Sequence, residues 1–324
     1  MKYFILMNLI LFTYLSLFLN DLLIIWFYIE IINFLFTFIL NISMNNKKMI
    51  FLHIIIQILS SFLMIYSIIL NNLFLCYNNY YIYFNLIIAL LIKLSIPPFH
   101  FWLPLISSYL PCNILFIMIT LQKIAPFYML PFIKLFSSIF IFLILILSSI
   151  IPPFMTLNLT NFKMIMAYSS INQSSWMILL IYLKKIVWLQ YFMLYSFVIL
   201  NFIIIIYFHK MFKNTNLIYN KLNFFNLWFL TLMFNIAGLP PLSMFFMKWY
   251  AIFLFMKSLN LLPILILMMI SSLFMMFIYM NMLINSLYFY EMESKLIKFS
   301  PNFMNLTIFN FFLSYFMSIF ILLI

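Results

Sequence analysis

Apolar runs of about 20 residues repeat from one end of the chain to the other, each closed by a short polar loop. This alternation predicts a series of helices long enough to cross a hydrocarbon core of ~30 Å. Setting the runs against turn residues gives eleven spans, at 3–19, 22–41, 49–70, 81–110, 112–131, 134–151, 163–183, 187–209, 223–257, 262–287 and 303–323. The loops between them are short and Asn-rich, as at Asn41–Lys48 and Asn71–Asn79, and Lys184-Lys185 marks another. Met1–Leu19 reads as a first span and not a leader, because no small-residue cleavage site follows it; Asn20 and Asp21 end it and cap the next helix.

Spans four and nine are interrupted, each by a Pro-Pro pair, Pro97-Pro98 and Pro240-Pro241. Proline lacks the backbone donor and its ring clashes with the preceding turn, so the helix must break there. The carbonyls this frees are tolerated at membrane depth only beside protein or a wet cavity. If spans 1–5 and 6–10 are two copies of one unit, both breaks fall in the fourth helix of their unit. An odd number of helices per copy makes the copies inverted, and paired interrupted helices in inverted halves point to a transport site. The predicted fold is therefore all-α: a polytopic membrane protein of about 11 transmembrane helices in a single domain. It has two inverted five-helix units, 1–131 and 134–287, with one interrupted helix in each, plus a C-terminal helix at 303–323. A third pair, Pro152-Pro153, is expected simply to end span six.

Composition agrees with the pattern. The chain is 69% hydrophobic and 6% charged, more apolar surface than a soluble domain of 324 residues could hide. One glycine, Gly238, rules out a phosphate loop or a dinucleotide fingerprint. Two cysteines, Cys76 and Cys112, cannot hold an iron–sulfur cluster, so any redox cofactor must belong to another chain. The net charge of +12 comes from lysines against four acids, with no arginine. The lysines are scattered and form no patch, which argues against nucleic acid and for a bias between membrane faces. Lys2, Lys47, Lys48, Lys163, Lys210, Lys213, Lys221, Lys295 and Lys298 fall on the N-terminal side; Lys134, Lys184, Lys185 and Lys257 fall on the other. This places the N-terminus on the inner face. The lack of arginine and glycine, with abundant Phe, Ile, Asn, Lys, Tyr and Met, suggests an AT-rich, organellar gene.

Four ionisable residues lie inside the apolar spans: Glu30, Lys93, Lys123 and Lys248. A charge at the bilayer centre costs roughly 2.5–3.5 kcal/mol on insertion scales, so four of them suggest a path for ions or protons. Glu30 is near the middle of span two and cannot reach either face, which leaves it to be protonated, to pair with a cation, or to meet trapped water. A lysine about 4 Å away would stabilise its carboxylate by roughly 4 kcal/mol at an effective dielectric near 20, and Lys93 is the candidate. Withdrawing that lysine returns the energy, which is the elementary step of a charge-driven pump. For each lysine the alternative is a structural ion pair or a chain that snorkels to the interface. Around span seven, Tyr168, Ser169, Asn172, Gln173, Ser175 and Trp176 form a polar stretch that either hydrates a channel or bonds helices together. His53, His100 and His209 lack metal-site spacing; His100 follows the first break and is placed to meet a wet interior, while His53 and His209 lie near span ends. Glu291 and Glu293 are expected in a last polar loop.

Several stretches carry a family resemblance: Lys93-Leu-Ser-Ile-Pro-Pro-Phe-His-Phe-Trp-Leu-Pro104, Gln122-Lys-Ile-Ala-Pro126, Lys163-Met-Ile-Met-Ala-Tyr-Ser-Ser-Ile171, and Gly238-Leu-Pro-Pro-Leu242 followed by Lys248-Trp249. In this order they resemble the subunit 2 family of mitochondrial NADH:ubiquinone oxidoreductase (respiratory complex I), one of its antiporter-like membrane-arm subunits. The resemblance implies a multi-pass protein of the mitochondrial inner membrane that translocates protons while other subunits oxidise NADH and reduce ubiquinone. FMN, iron–sulfur clusters and quinone would then belong to partner subunits, with no cofactor in this chain. Neighbouring antiporter-like subunits and lipid would be its partners. By motif position it further implies that Glu30 and Lys93 are the coupled acid–lysine pair, Lys123 the central lysine and Lys248 the terminal one. Lys163 fits the basic residue that opens the Tyr-Ser-Ser helix. The chain departs from the family pattern at Gln173 (usually histidine), Leu105 (commonly an acid), and Ser95 and Ala237 (usually glycine). The competing readings are a free-standing cation/proton antiporter and a non-pumping membrane scaffold.

Overall fold

The computed structural model describes residues 2–73, 80–133, 138–183, 187–213, 231–240, 242–256 and 262–291. Helices and short connections account for all of them; no strand occurs among the described residues. The helices are α1 (Lys2–Ser16), α2 (Leu22–Ser43), α3 (Lys47–Leu73), α4 (Tyr80–Leu94), α5 (Trp102–Tyr109), α6 (Cys112–Ile119), α7 (Leu121–Met129), α8 (Ser138–Thr156), α9 (Phe162–Leu183), α10 (Val187–Lys213), α11 (231–237), α12 (Ser243–Phe255) and α13 (Leu262–Glu291). The expected eleventh span, Glu293, Cys76, and the lysines at 134, 184, 185, 221, 257, 295 and 298 lie outside the described residues.

Among the described residues, five stretches are long and apolar enough to cross a membrane: Leu22–Ser43, Lys47–Asn72, Cys112–Phe132, Val187–Ile204 and Leu262–Met282. The protein is a multi-pass membrane protein, and its side chains are distributed accordingly. Phe4, Phe34, Phe62 and Phe154 are exposed on outward faces, whereas Lys93, Lys123, Lys248, His53, Asn235 and the serines of α9 are buried. In lipid the apolar exterior is already satisfied, so the polar groups gather inside against one another.

The chain divides into two compact units. The first comprises Met1–Met155 and Asn161–Ser175; the second comprises Thr156–Thr160 and everything from Trp176 onward, so α9 contributes to both. In the first unit α1 packs on α2, α2 on α3, α3 along α4 and α5, and α7 against α1, α2 and α4. Buried Ile25, Ile29, Ile32, Asn33, Phe36, Ile39 and Leu40 recur at three- and four-residue intervals and form one stripe down α2. In the second unit α10 packs on α12. Asn161 opens α9: its side-chain oxygen accepts from Lys163 N at 3.1 Å, and its carbonyl accepts from Met164 N and Ile165 N. Asp21 stands at the N-cap position of α2, as expected, but caps through its carbonyl to Ile25 N and not through its side chain.

Two spans differ from expectation. The fifth is broken at Thr120 (φ −108°, ψ −80°) into α6 and α7. The Thr120 hydroxyl competes for the Phe116 carbonyl at 2.7 Å, and Pro126 has no donor for the Gln122 carbonyl, so both sides of this point are weakened. The sixth does not end at Pro152-Pro153; α8 runs through the pair to Thr156. No water is at hand in lipid to take backbone groups that an early helix end would release, so the chain stays helical.

The first Pro-Pro break is where it was expected, between α4 and α5. Pro98 has no N–H for the Leu94 carbonyl, which instead accepts from the Ser95 hydroxyl. The Ile92 carbonyl accepts from Ser95 N at 3.2 Å and from the Trp102 indole at 3.1 Å. Ser95 sits in the left-handed region at φ 56°, a conformation costing an L-residue roughly 1–2 kcal/mol. Ser95→Gly removes that cost and the hydroxyl bond together, so stability should hardly change. Ser95→Ala keeps the cost and loses the bond, and should fall below the glycine variant by about 1–2 kcal/mol. Thermal unfolding of the two variants side by side checks the order.

Candidate functional site

The first break sets the end of α4, and Lys93 is in its last turn, where the partial negative charge of the helix C-terminus favours a cation. Its Nζ is 2.6 Å from Oε1 of Glu30 on α2, 63 positions earlier in the chain. The Lys93 side chain is only 1% exposed, against 29% for Glu30. Among the described residues this is the one ion pair. The pairing inferred from the sequence is thus present in the geometry.

Lys123 is placed differently. The kink at Thr120 puts it in the first turn of α7, where helix amides disfavour positive charge. Its Nζ donates to the Ser170 hydroxyl of α9 at 3.2 Å, and Ser170 in turn donates a hydrogen bond to the Ala167 carbonyl at 2.6 Å. No carboxylate lies within ion-pair distance of Lys123 among the described residues. Lys93 and Lys123 line one small cavity with room for about one water molecule, together with Asn33, His53, Gln57 and Gln122.

Lys248, in the second unit, is built by the second break. α11 ends at Ala237, whose carbonyl would pair with the N–H four residues on, but that residue is Pro241. Lys248 Nζ takes the freed carbonyl at 2.8 Å, with its charge 5.8 Å from the centroid of the Trp176 ring. Asn235 ties the two sides together, its side-chain oxygen accepting from Met244 N at 3.1 Å and Ser243 Oγ at 3.2 Å. Gly238 turns the chain at φ 85°. Pro241 itself lies outside the described residues.

The polar stretch of α9 is buried, and its serine donors are already used. Ser169, Ser170, Ser174 and Ser175 each donate to the carbonyl three residues back. Of these four, only Ser170, which the sequence did not single out, also accepts from a lysine, Lys123. Gln173 is buried on the same helix, and Leu105, where the family commonly has an acid, is exposed on α5. His100 is buried beside Phe101 and Tyr168, with Nδ1 3.3 Å from the Pro98 carbonyl, and does not line the cavity. His53, expected near a span end, is instead 1% exposed and wedged between Phe36 and Trp102. No cluster of His, Cys, Asp or Glu suited to a metal occurs among the described residues.

Three comparisons bear on this arrangement. Residues 19–275 match the family model described as NADH:quinone oxidoreductase/Mrp antiporter, TM. NADH-ubiquinone oxidoreductase chain 2 of Rhipicephalus sanguineus is 36% identical over 268 residues, covering 82% of each chain. The chain of the same name from Anopheles gambiae is 35% identical over 211 residues, covering 60% of this chain and 59% of that one. Among solved structures, respiratory complex I from Thermus thermophilus with bound aureothin contains a chain that matches with a TM-score of 0.74 at 19% identity, covering 87% of this chain and 70% of that chain.

Proposed function

Because the chain belongs to the NADH:quinone oxidoreductase/Mrp antiporter membrane family, we propose that it is a membrane-arm subunit of respiratory complex I that translocates protons. The energy comes from NADH oxidation and ubiquinone reduction in other subunits, which hold the FMN, iron–sulfur clusters and quinone. The observation that carries this reading is the burial of three lysines inside membrane helices, each at or beside a helix interruption. Glu30 and Lys93 act as a switchable pair. Lys123 and Lys248 are the further protonatable groups, and the charge at each site biases the next. Eleven spans arranged as two inverted units, an N-terminus on the matrix side of the mitochondrial inner membrane, and contacts with neighbouring antiporter-like subunits and lipid complete the proposal. The lysine distribution and the organellar composition support it.

The test is Lys123→Met in the assembled complex. Ser170 is a neutral partner, so removing the ammonium strands no buried charge and folding should survive. Proton uptake driven by NADH in sealed vesicles should fall by roughly tenfold or more, on the scale of losing one positioned proton-transfer group. Undiminished pumping would favour a scaffold, and proton or cation exchange by the isolated chain would favour an antiporter.

A further inference from the structure

Two residues that line the cavity with Lys93 and Lys123 carry unpartnered polar atoms. Nδ1 of His53 and Nδ2 of Asn33 are both buried without a hydrogen-bond partner, and both residues line this cavity. An orphaned buried polar atom is costly, so two of them on residues lining one polar void point to an ordered water there. His53 is also held in one orientation. Its ring meets Phe36 edge-on at 5.3 Å and Trp102 at 5.9 Å, and the Trp102 indole is bonded to the carbonyl of Ile92, the neighbour of Lys93. The clamp on the imidazole and the turn that carries Lys93 are therefore one construction.

We propose that His53 is a proton relay between Lys93 and Lys123, working through a water anchored by Asn33. This rests on the proton-translocating reading above. An N–H bond of the Lys93 ammonium breaks and, through the cavity water, an N–H bond forms on the His53 imidazole. The imidazolium then gives a proton by the same route to the Lys123 amine. One positive charge moves across the cavity, and nothing is oxidised or reduced. Gln57 and Gln122, the other amides of the lining, can orient the water but cannot carry the proton.

Two variants in the intact complex separate relay from shape. His53→Gln keeps a hydrogen-bonding side chain of similar reach but cannot become a cation at working pH; His53→Leu removes the polarity as well. Both should assemble, and both should lower NADH-driven proton uptake by roughly tenfold or more. Normal pumping by His53→Gln would overturn the relay and leave His53 as a water holder. If the variants fail to assemble, the unaltered complex decides, in a density map fine enough to resolve waters. A water joining His53 Nδ1 to Asn33 supports the proposal, and a dry cavity overturns it. Lys123→Met run in parallel shows which idea has failed: loss of pumping there with unimpaired His53 variants sinks the relay alone, and no loss in any of them sinks the pump.

Discussion

Gly238→Ala should leave the subunit folded and assembled but cut its proton translocation by roughly tenfold or more. At φ 85° an alanine costs roughly 1–2 kcal/mol, which a membrane assembly can absorb. The new Cβ would meet Lys248 at 2.9 Å from Nζ, too close to stay, with Cδ at 3.1 Å and Cε at 3.3 Å also tight, so the lysine has to shift. Backbone does not have to move, because the obstacle is the end of a flexible side chain. That chain is the proposed proton-carrying group, however, and swinging it aside takes Nζ off the Ala237 carbonyl it holds at 2.8 Å. A hydrogen bond from a charged donor is worth roughly 1.5–3 kcal/mol, or about one to two powers of ten in occupancy of the working position. Proton uptake and uncoupled NADH oxidation in the same vesicles separate this from a folding defect. Wild-type pumping by the alanine variant would show that the position of Lys248 does not matter.

Lys93→Met should be the most damaging single change to stability, by about 3–5 kcal/mol, because it leaves Glu30 without its cation at membrane depth. Adding Glu30→Gln should recover most of that loss, since the pair is then replaced by uncharged groups. A double-mutant cycle on thermal unfolding of the assembled complex measures the coupling. Pumping should fail in both single variants and in the double, because restored packing does not restore a proton acceptor. A double variant no more stable than Lys93→Met would mean the two side chains do not compensate each other.

Much of this was readable along the chain. Pro97-Pro98 and Pro240-Pro241 announced breaks because a missing N–H is a covalent property that no tertiary context repairs. Pro152-Pro153 misled for the opposite reason: close to a helix end, the surroundings decide whether the turn continues. The kink at Thr120 carried a faint signal, a back-bonding threonine ahead of Gln-Lys-Ile-Ala-Pro126, and it moved Lys123 into a first turn.

The apolar pattern, the interrupted helices and the four ionisable residues inside them were therefore decided by the residues alone, since burial cost and missing donors are local facts. Which groups meet was not. In a helix that is apolar all round, lipid-facing and core-facing positions look alike, so the 3.6-residue period does not reveal the inward face. Only packing brings His53 to a cavity with Lys93 and Lys123, gives Ser170 to Lys123, and hands the carbonyl of Ala237 to Lys248.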